Sequence, residues 1–181
     1  QAPGRTNIYN EHPFRVILDY AHNPAAVQAM CELVDRFEPE GRRTIVLAAP
    51  GDRRDQDILE IAEIAAGHFD HFICRRDDNR RGCGEDEVAV MLKNKRLGMG
   101  TSADRIEVSP DAQEATSRAL EMSEAGDLVL VLAENGKRTW KQIIYCNSGA
   151  KIDDATKKAP TVADLPALEG FQLDDDLEII S

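Results

Sequence analysis

Residues 14–37 read FRVILDYAHNPAAVQAMCELVDRF, and this stretch decides the fold. Its first five residues form an apolar run rich in β-branched side chains, which is typical of a strand buried on both faces. Asn23 and Pro24 then match an N-cap and a first helical position. Apolar residues follow at spacings of three and four, namely Val27, Met30, Cys31, Val34 and Phe37. The stretch predicts a strand, a short polar turn and an amphipathic helix.

Similar runs alternate with helical patterns along the rest of the chain. We predict further strands at 43–49, 70–74, 105–108, 128–132 and 143–146. Helical patterns begin near Asp55, cover residues 85–96 and follow Ser109-Pro110-Asp111, which matches a cap with proline at the first turn. Strands that alternate with helices of 10–15 residues imply right-handed crossovers in a mainly parallel sheet. The predicted fold class is therefore α/β, a three-layer Rossmann-like domain with about six mainly parallel strands and helices on both faces.

Composition excludes several classes of function. The 181 residues contain 33 acidic and 22 basic side chains, a net charge of −11, so a nucleic-acid backbone would be repelled on average. The sequence has no run of about 18 apolar residues and no secretory signal pattern at its start, so we expect a cytoplasmic protein without a membrane partner. The four cysteines form no Cys-x-x-Cys pair, which favours reduced, buried thiols over a zinc or redox site.

The chain divides by composition into a body and a tail. Residues 1–146 hold the alternating pattern and form one predicted domain. Residues 147–181 are polar, and within them residues 151–181 carry three lysines against eight acidic side chains. We predict an acidic tail that is partly disordered or docked.

Three polar turns follow predicted strands, where ligands collect on open parallel sheets. Residues 19–24 read DYAHNP, residues 50–55 read PGDRRD, and residues 75–82 read RRDDNRRG. Because parallel strands end at the same edge, we expect the three turns to lie together. A structural interpretation stands beside the functional one: Asn23 is a good helix cap, Gly51 suits a turn, and the alternating arginines and aspartates suit surface ion pairs.

Other motifs lack the context that their chemistry requires. Residues 98–103 match G-x-G-x-x-A but follow a helix instead of a strand. Residues 136–139 lack the earlier glycine of a P-loop, and no Ser or Thr directly follows the lysine. His68 and His71 flank a helix-to-strand junction at the opposite edge, which favours a cap and an edge residue over a metal site.

The sequence VILDYAHNPAAVQAM at residues 16–30 resembles the start of the C-terminal domain of the Mur ligase family. This family of ATP-dependent amide-forming ligases includes folylpolyglutamate synthetase and cyanophycin synthetase. The order of the turns agrees as well, with Gly-Asp-Arg after the next strand and an Asp-Asn-x-Arg-like element at residues 78–81. The resemblance covers about residues 3–146. Residues 51–55, 77–82 and 138–143 are most similar to the cyanophycin synthetase branch.

The resemblance implies a mechanism. Such ligases phosphorylate a carboxylate with ATP, and an amine attacks the acyl phosphate to give an amide and ADP. The central domain carries the P-loop and the magnesium site, so ATP and Mg²⁺ are the implied cofactors and an upstream central ATPase domain is the implied partner. Neither that domain nor an ATP-grasp module is present in these 181 residues, so we expect the isolated chain to be inactive. The oligomeric state stays open.

The resemblance also assigns residues to the nucleotide. Asp19 would hold the ribose hydroxyls, and His22 and Asn23 would lie against the nucleotide. Gly51 and Asp52 would face the closed cleft beside them.

Catalysis and substrate binding fall to the neighbouring positions. Arg53 and Arg54 are the implied catalytic residues, because a guanidinium stabilises charge on a transferring phosphoryl group. In the cyanophycin synthetase branch the incoming amino acid would be arginine, added to aspartate side chains of a poly-aspartate backbone. The element that would bind this amino-acid or polypeptide substrate comprises Asp77, Asp78, Asn79, Arg80 and Arg81, together with Glu134. Either Arg80 or Arg81 would bind its carboxylate, and acids of the set would pair with its guanidinium.

Two alternatives compete with the ligase interpretation. One is a non-catalytic domain that recognises an anionic or polypeptide partner through Arg53, Arg54, Arg80 and Arg81. The other is an unrelated flavodoxin-like or nucleotide-sensing domain, because fold class alone does not select function.

Overall fold

The computed structural model describes residues 6–51, 54–76, 84 and 86–146. Within these ranges the strands are β1 (Asn7–Tyr9), β2 (Arg15–Asp19), β3 (Arg43–Leu47), β4 (His71–Arg75), β5 (Ile106–Ser109) and β6 (Leu128–Leu132). The α-helices are α1 (Pro24–Arg36), α2 (Asp55–Ile64), α3 (Glu87–Gly98), α4 (Ala112–Glu121) and α5 (Gly136–Tyr145). None of these helices combines the length and apolar character needed to cross a lipid bilayer. The predicted tail, residues 147–181, lies outside the described residues.

The strands form one sheet in the order β1-β2-β6-β3-β4-β5. β2, β6, β3, β4 and β5 are parallel, and β1 pairs antiparallel with β2. The last strand in sequence, β6, lies between the first two parallel strands, with Leu18 opposite Val131 on one side and Val46 opposite Val131 on the other. The predicted α/β fold, with a mainly parallel sheet of six strands, is confirmed.

Two apolar layers enclose the sheet, because the side chains of each parallel strand alternate between its faces. On one face Ile17, Ile45 and Leu130 pack with the buried sides of α1, α2 and α3. On the other face Val46 and Val129 pack with α4 and α5. Helices therefore cover both faces, as predicted.

The predicted strand at 143–146 is wrong, because residues 143–145 belong to helix α5. Thr139, Trp140 and Ile143 are the buried residues in the body of this helix, at the spacing of one helical face. Residues with high strand propensity form a helix here because Trp140 and Ile143 pack, together with α4, onto one face of the sheet. The short segment β1 is the sixth strand instead.

The predicted cap at the start of the fourth helix is two residues too early. Asp111 is the N-cap of α4, and its side chain accepts a hydrogen bond from the Glu114 amide at 2.8 Å. Pro110 precedes the helix and does not occupy its first turn.

The prediction about cysteines holds for the described positions: Cys31 and Cys74 are buried free thiols and Cys146 is half-buried. Burial raises the pKa of both buried thiols to about 12. Cys83 lies outside the described residues.

Gly41 lies against the turn that precedes β6, so a larger residue there is expected to destabilise the protein. A Cβ atom at Gly41 would lie 2.8 Å from the Asp127 nitrogen and 2.9 Å from the Gly126 carbonyl carbon. These are backbone atoms that cannot rotate away, and overpacking of this kind costs about 1–3 kcal/mol. We expect Gly41→Ala to lower the free energy of unfolding by about 2 kcal/mol in urea titrations. The matched control is Gly98→Ala, where the added Cβ meets nothing within 4 Å. Equal stability of the two variants would contradict the prediction.

His71 makes folding sensitive to mild acid. It is buried at the start of β4, and its Nε2 lies 3.1 Å from a carboxylate oxygen of Glu107. Burial lowers the pKa of His71 below its ordinary value of 6.5, so the unfolded chain takes up the proton first as pH falls. This contribution to stability is complete above about pH 6.5 and decreases as pH falls toward the folded-state pKa. We expect His71→Gln to flatten the decline in unfolding free energy between about pH 7 and 5, measured by urea titration at each pH. Parallel profiles for variant and parent would contradict this.

Candidate functional site

The carboxyl ends of four neighbouring strands meet at one edge of the sheet and form a cleft. β2, β6, β3 and β4 all end there, because they are parallel. The lining comes from residues 20–22, residues 48–50, Arg75, and residues 132–134. The described parts of the three predicted polar turns therefore lie on the same edge, as expected. Alanines at positions 21, 48, 49 and 133 keep side-chain volume low at this edge.

Asp19 ends β2, and its carboxylate binds backbone and side-chain donors on both sides. Oδ2 accepts from the Thr6 amide at 2.7 Å and from the Thr6 hydroxyl at 3.2 Å. Oδ1 accepts from the Ala21 amide at 2.7 Å. A carboxylate has about four acceptor positions, so about one remains for a ligand while Thr6 is bound. Thr6 has a φ of 48°, a left-handed conformation that is uncommon for a β-branched residue.

His22 and Tyr20 form an aromatic pair at the mouth of the cleft. Their ring centroids lie 4.9 Å apart, and 38% of Tyr20 is exposed. The Nδ1 of His22 lies 3.0 Å from the Tyr20 carbonyl oxygen, which can only accept, so Nδ1 carries a proton. In the neutral ring this leaves Nε2 as an acceptor.

Asn23 is the N-cap of α1, as the structural interpretation of the sequence predicts. Its side-chain oxygen accepts from the Ala26 amide at 2.9 Å, and Pro24 occupies the first helical position. The amide NH₂ of Asn23 is therefore the group with which it would reach a ligand.

The second polar turn is described at its two ends. Gly51 follows the cleft residue Pro50 in a turn. Arg54 precedes α2, and its guanidinium donates to the two carboxylate oxygens of Asp57 at 3.2 and 2.9 Å. The pair lies at the surface, where the Arg54 side chain is 79% exposed. Asp52 and Arg53 lie outside the described residues.

The predicted substrate-binding residues of the third turn, Asp77, Asp78, Asn79, Arg80 and Arg81, lie outside the described residues. Two residues on either side of them, Arg76 and Asp86, form an ion pair. Arg76 donates to a carboxylate oxygen of Asp86 through Nε at 3.0 Å and through an η nitrogen at 2.9 Å.

Glu134 follows β6 and lines the cleft, half-buried. The next residue, Asn135, caps α5, because its side-chain oxygen accepts from the Arg138 amide at 3.2 Å. The N-termini of α1 and α5 therefore both lie at the cleft edge, where their free N–H groups favour anions.

Arg75 is a cleft residue that the sequence predictions did not assign. It is the last residue of β4 and is 1% exposed. An arginine at the end of the apolar run HFICR is the sequence signal that could have identified it, because arginine is almost never fully buried without partners.

His68 and His71 have separate carboxylate partners. His68 binds Asp35 at 2.8 Å, and His71 binds Glu107. Across the described part of the chain, no group of three or more His, Cys, Asp or Glu side chains is arranged to hold a metal ion.

Comparison with known proteins agrees with this geometry. The profile of the family described as "Mur ligase, glutamate ligase domain" matches residues 4–135. Cyanophycin synthetase of Crocosphaera subtropica is 36% identical over 138 residues, which are 76% of this chain and 16% of that protein. Cyanophycin synthetase of Synechocystis sp. is 38% identical over 135 residues, 75% of this chain and 15% of that protein. The chain thus spans about one sixth of the length of these curated relatives.

Solved structures show the same fold. A UDP-N-acetylmuramoyl-L-alanyl-D-glutamate–2,6-diaminopimelate ligase superposes with a TM-score of 0.62 at 25% identity, over 75% of this chain and 26% of that chain. E. coli FolC in complex with DHPP and ADP superposes with a TM-score of 0.60 at 24% identity, over 78% of this chain and 31% of that chain. The predicted similarity to the cyanophycin synthetase branch is confirmed. From its profile match and its sequence identity to these relatives, this chain belongs to the Mur ligase family and corresponds to the glutamate ligase domain of that family.

Proposed function

We propose that this chain is the C-terminal domain of an ATP-dependent amide ligase of the cyanophycin synthetase type. The complete enzyme would add arginine to aspartate side chains of a poly-aspartate backbone through an acyl phosphate. The observation that carries the proposal is the cleft at the carboxyl ends of β2, β6, β3 and β4, in a chain of this family. The isolated domain would supply contacts to nucleotide and amino acid and would have no activity alone.

The first turn fits a nucleoside. Asp19 would accept from one ribose hydroxyl with Thr6 in place, and from both hydroxyls only if Thr6 is released. His22 would accept through Nε2, and Asn23 would donate through its amide. Gly51 and Asp52 would complete this side of the cleft. The upstream central ATPase domain would provide the P-loop and hold Mg²⁺, which supplies charge stabilisation at the phosphates.

The second and third turns would face the reacting groups. Arg53 and Arg54 would stabilise charge on the transferring phosphoryl group. For the arginine substrate, Asp77, Asp78 and Glu134 would pair with the guanidinium. Its carboxylate would bind Arg80 or Arg81, with Asn79 in the same element.

A chimera tests the proposal directly. The segment of the Synechocystis cyanophycin synthetase that aligns over 135 residues with this chain would be replaced by this chain, and release of ADP would be measured with a poly-aspartate primer and arginine. We expect ADP release that depends on both substrates, and none from the isolated chain. The isolated chain should also bind ATP weakly or not at all in a calorimetric titration. A folded chimera without arginine-dependent turnover would contradict the proposal, and micromolar ATP binding by the chain alone would favour a nucleotide-sensing domain.

Asp78→Ala in the chimera is expected to raise the KM for arginine by about 10-fold or more, because the coupling energy of a close charge pair is about 1.5 kcal/mol or more. The KM for ATP should stay near that of the parent. The matched control is Asp104→Ala, which removes an exposed carboxylate next to β5 at the opposite edge of the sheet. An unchanged KM for arginine would show that Asp78 does not bind the substrate.

A further inference from the structure

Arg75 makes an unusual connection between strands that are not neighbours. Its Nε and one η nitrogen donate to the carbonyl oxygen of Leu132, at 3.3 and 3.1 Å, and the other η nitrogen donates to the Arg76 carbonyl at 2.9 Å. Arg75 ends β4 and Leu132 ends β6, and β3 lies between these two strands. The guanidinium therefore reaches across the carboxyl end of β3.

Small side chains make this crossing sterically possible. The residues that follow β3 are Ala48 and Ala49, both buried and both in the lining of the cleft. The arginine thus forms part of the cleft wall and is itself almost inaccessible to solvent, at 1% exposure. A group with so little exposure cannot contact a substrate directly, so its effect on binding must act through the residues that it holds.

Leu132, one of the two residues whose carbonyls accept from Arg75, is part of a peptide group fixed from two sides. Arg75 binds the oxygen of the peptide between Leu132 and Ala133, and the N–H of the same peptide donates to the Asp19 carbonyl at 3.0 Å. A peptide group is planar, so two opposed hydrogen bonds determine its orientation. Glu134 is the residue after Ala133, and Asn135 is the N-cap of α5.

We propose that Arg75 is a positioning residue that, through the Leu132 carbonyl, sets the direction of Glu134 and of the α5 N-terminus toward a cationic amino-acid substrate. The proposal rests on the function proposed above for the role of Glu134, and it deepens that function by naming what determines substrate affinity at this turn. The clamp itself, from Arg75 to the Leu132 peptide, involves only residues of this chain and does not depend on the proposed function.

Arg96 provides a matched control elsewhere in the same fold. It is also a buried arginine, 3% exposed, and it donates to the backbone carbonyls of Ala62 and Ala66 at 3.4 and 3.5 Å. Its guanidinium stacks over the Phe72 ring at 4.2 Å, next to α2 and away from the residues of the cleft. Arg75→Met and Arg96→Met each remove one buried guanidinium that donates to backbone carbonyls, and only Arg75 donates to the turn with Glu134.

Hydrogen exchange of this chain tests the clamp without any assumption about activity. We expect Arg75→Met to accelerate amide exchange of residues 133–138 by about 10-fold or more relative to Arg96→Met, because a lost hydrogen bond to a charged group frees the turn. Arg75→Lys should give an intermediate rate, since an ammonium cannot reproduce the two parallel bonds to one carbonyl. Equal exchange in residues 133–138 for the two methionine variants would overturn the clamp.

Kinetics in the chimera test the consequence for the substrate. We expect Arg75→Met to raise the KM for arginine by about 10-fold while the KM for ATP changes by less than about 3-fold, and Arg96→Met to change neither. The double variant with Glu134→Gln should be no worse than the worse single variant, because both act on one contact. If Glu134→Gln raises this KM and Arg75→Met does not, the positioning role is wrong. If Glu134→Gln does not change the KM for arginine, the proposed role of Glu134 is wrong, and so is the role of Arg75 in positioning it toward the substrate. The hydrogen-exchange result still tests the clamp in that case.

Discussion

Asp127→Ala is expected to lower the free energy of unfolding by about 3 kcal/mol, because it removes a buried carboxylate that accepts two backbone hydrogen bonds, and a hydrogen bond to a charged group contributes about 1.5–3 kcal/mol. Asp127 is 6% exposed at the start of β6. Its Oδ1 accepts from the Arg42 amide at 2.7 Å, and its Oδ2 accepts from the Glu124 amide at 3.0 Å. Alanine would leave both N–H groups without an acceptor at the amino edge of the sheet.

Urea denaturation followed by circular dichroism measures this loss. Asp127 also pairs with the Arg42 guanidinium at 3.4 Å, but that side chain is 35% exposed, so the ion pair contributes little beside the two amide bonds. The control is Asp127→Asn, which keeps one oxygen acceptor and should recover about half of the stability lost by alanine. A loss below about 1 kcal/mol for alanine would show that water replaces the carboxylate at this turn.

Arg53→Ala is expected to lower kcat of the chimeric ligase by about 100-fold and to leave the KM for arginine within about 3-fold, because a group that stabilises the transition state acts on turnover. Arg54→Ala should have the smaller effect. Arg54 already donates two hydrogen bonds to Asp57, which raise its pKa, so it must leave this pair before it can reach a phosphoryl group.

Single-turnover ADP release at saturating arginine is measured for Arg53→Ala and Arg54→Ala, and the two rates are compared. Arg36→Ala serves as a control because it removes a basic residue at the last turn of α1, away from the cleft. If Arg54→Ala reduced kcat by the larger factor, Arg54 would be the catalytic arginine and its pairing with Asp57 would describe the open state. If neither variant reduced kcat, the phosphoryl role would belong to other residues.

Much of the fold could be predicted because its signals are local. The parallel strands β2, β3, β4 and β6 contain apolar runs, and the periods of α1 to α4 are visible within about 12 residues. The strand at 143–146 was predicted wrongly because isoleucine and tyrosine suit both a strand and the buried face of a helix. Only the neighbours of Ile143 on the sheet distinguish the two. The short strand β1 was missed because three residues carry too little pattern.

The candidate site was predictable in part for the same reason. Polar turns after buried strands identify a carboxyl edge, so the sequence could group the turns at residues 19–24, 50–55 and 75–82. The run HFICR marks Arg75 as unusual, but its role could not be assigned, because its partner Leu132 is 57 positions away in the chain. The contact of Thr6 with Asp19 was equally invisible, since it joins a residue outside any predicted element to a predicted site residue.

Local residue patterns predict the alternation of strands and helices, the capped turn at Asn23, the family, and the edge at which the polar turns meet. Each follows from residue type and spacing over short distances. Two features are visible only in the folded protein: β6 lies between β2 and β3, and the peptide after Leu132 is held by Arg75 on one side and by Asp19 on the other. Those contacts depend on strand order, which hydrogen bonds and packing between distant segments select, and which no local pattern encodes.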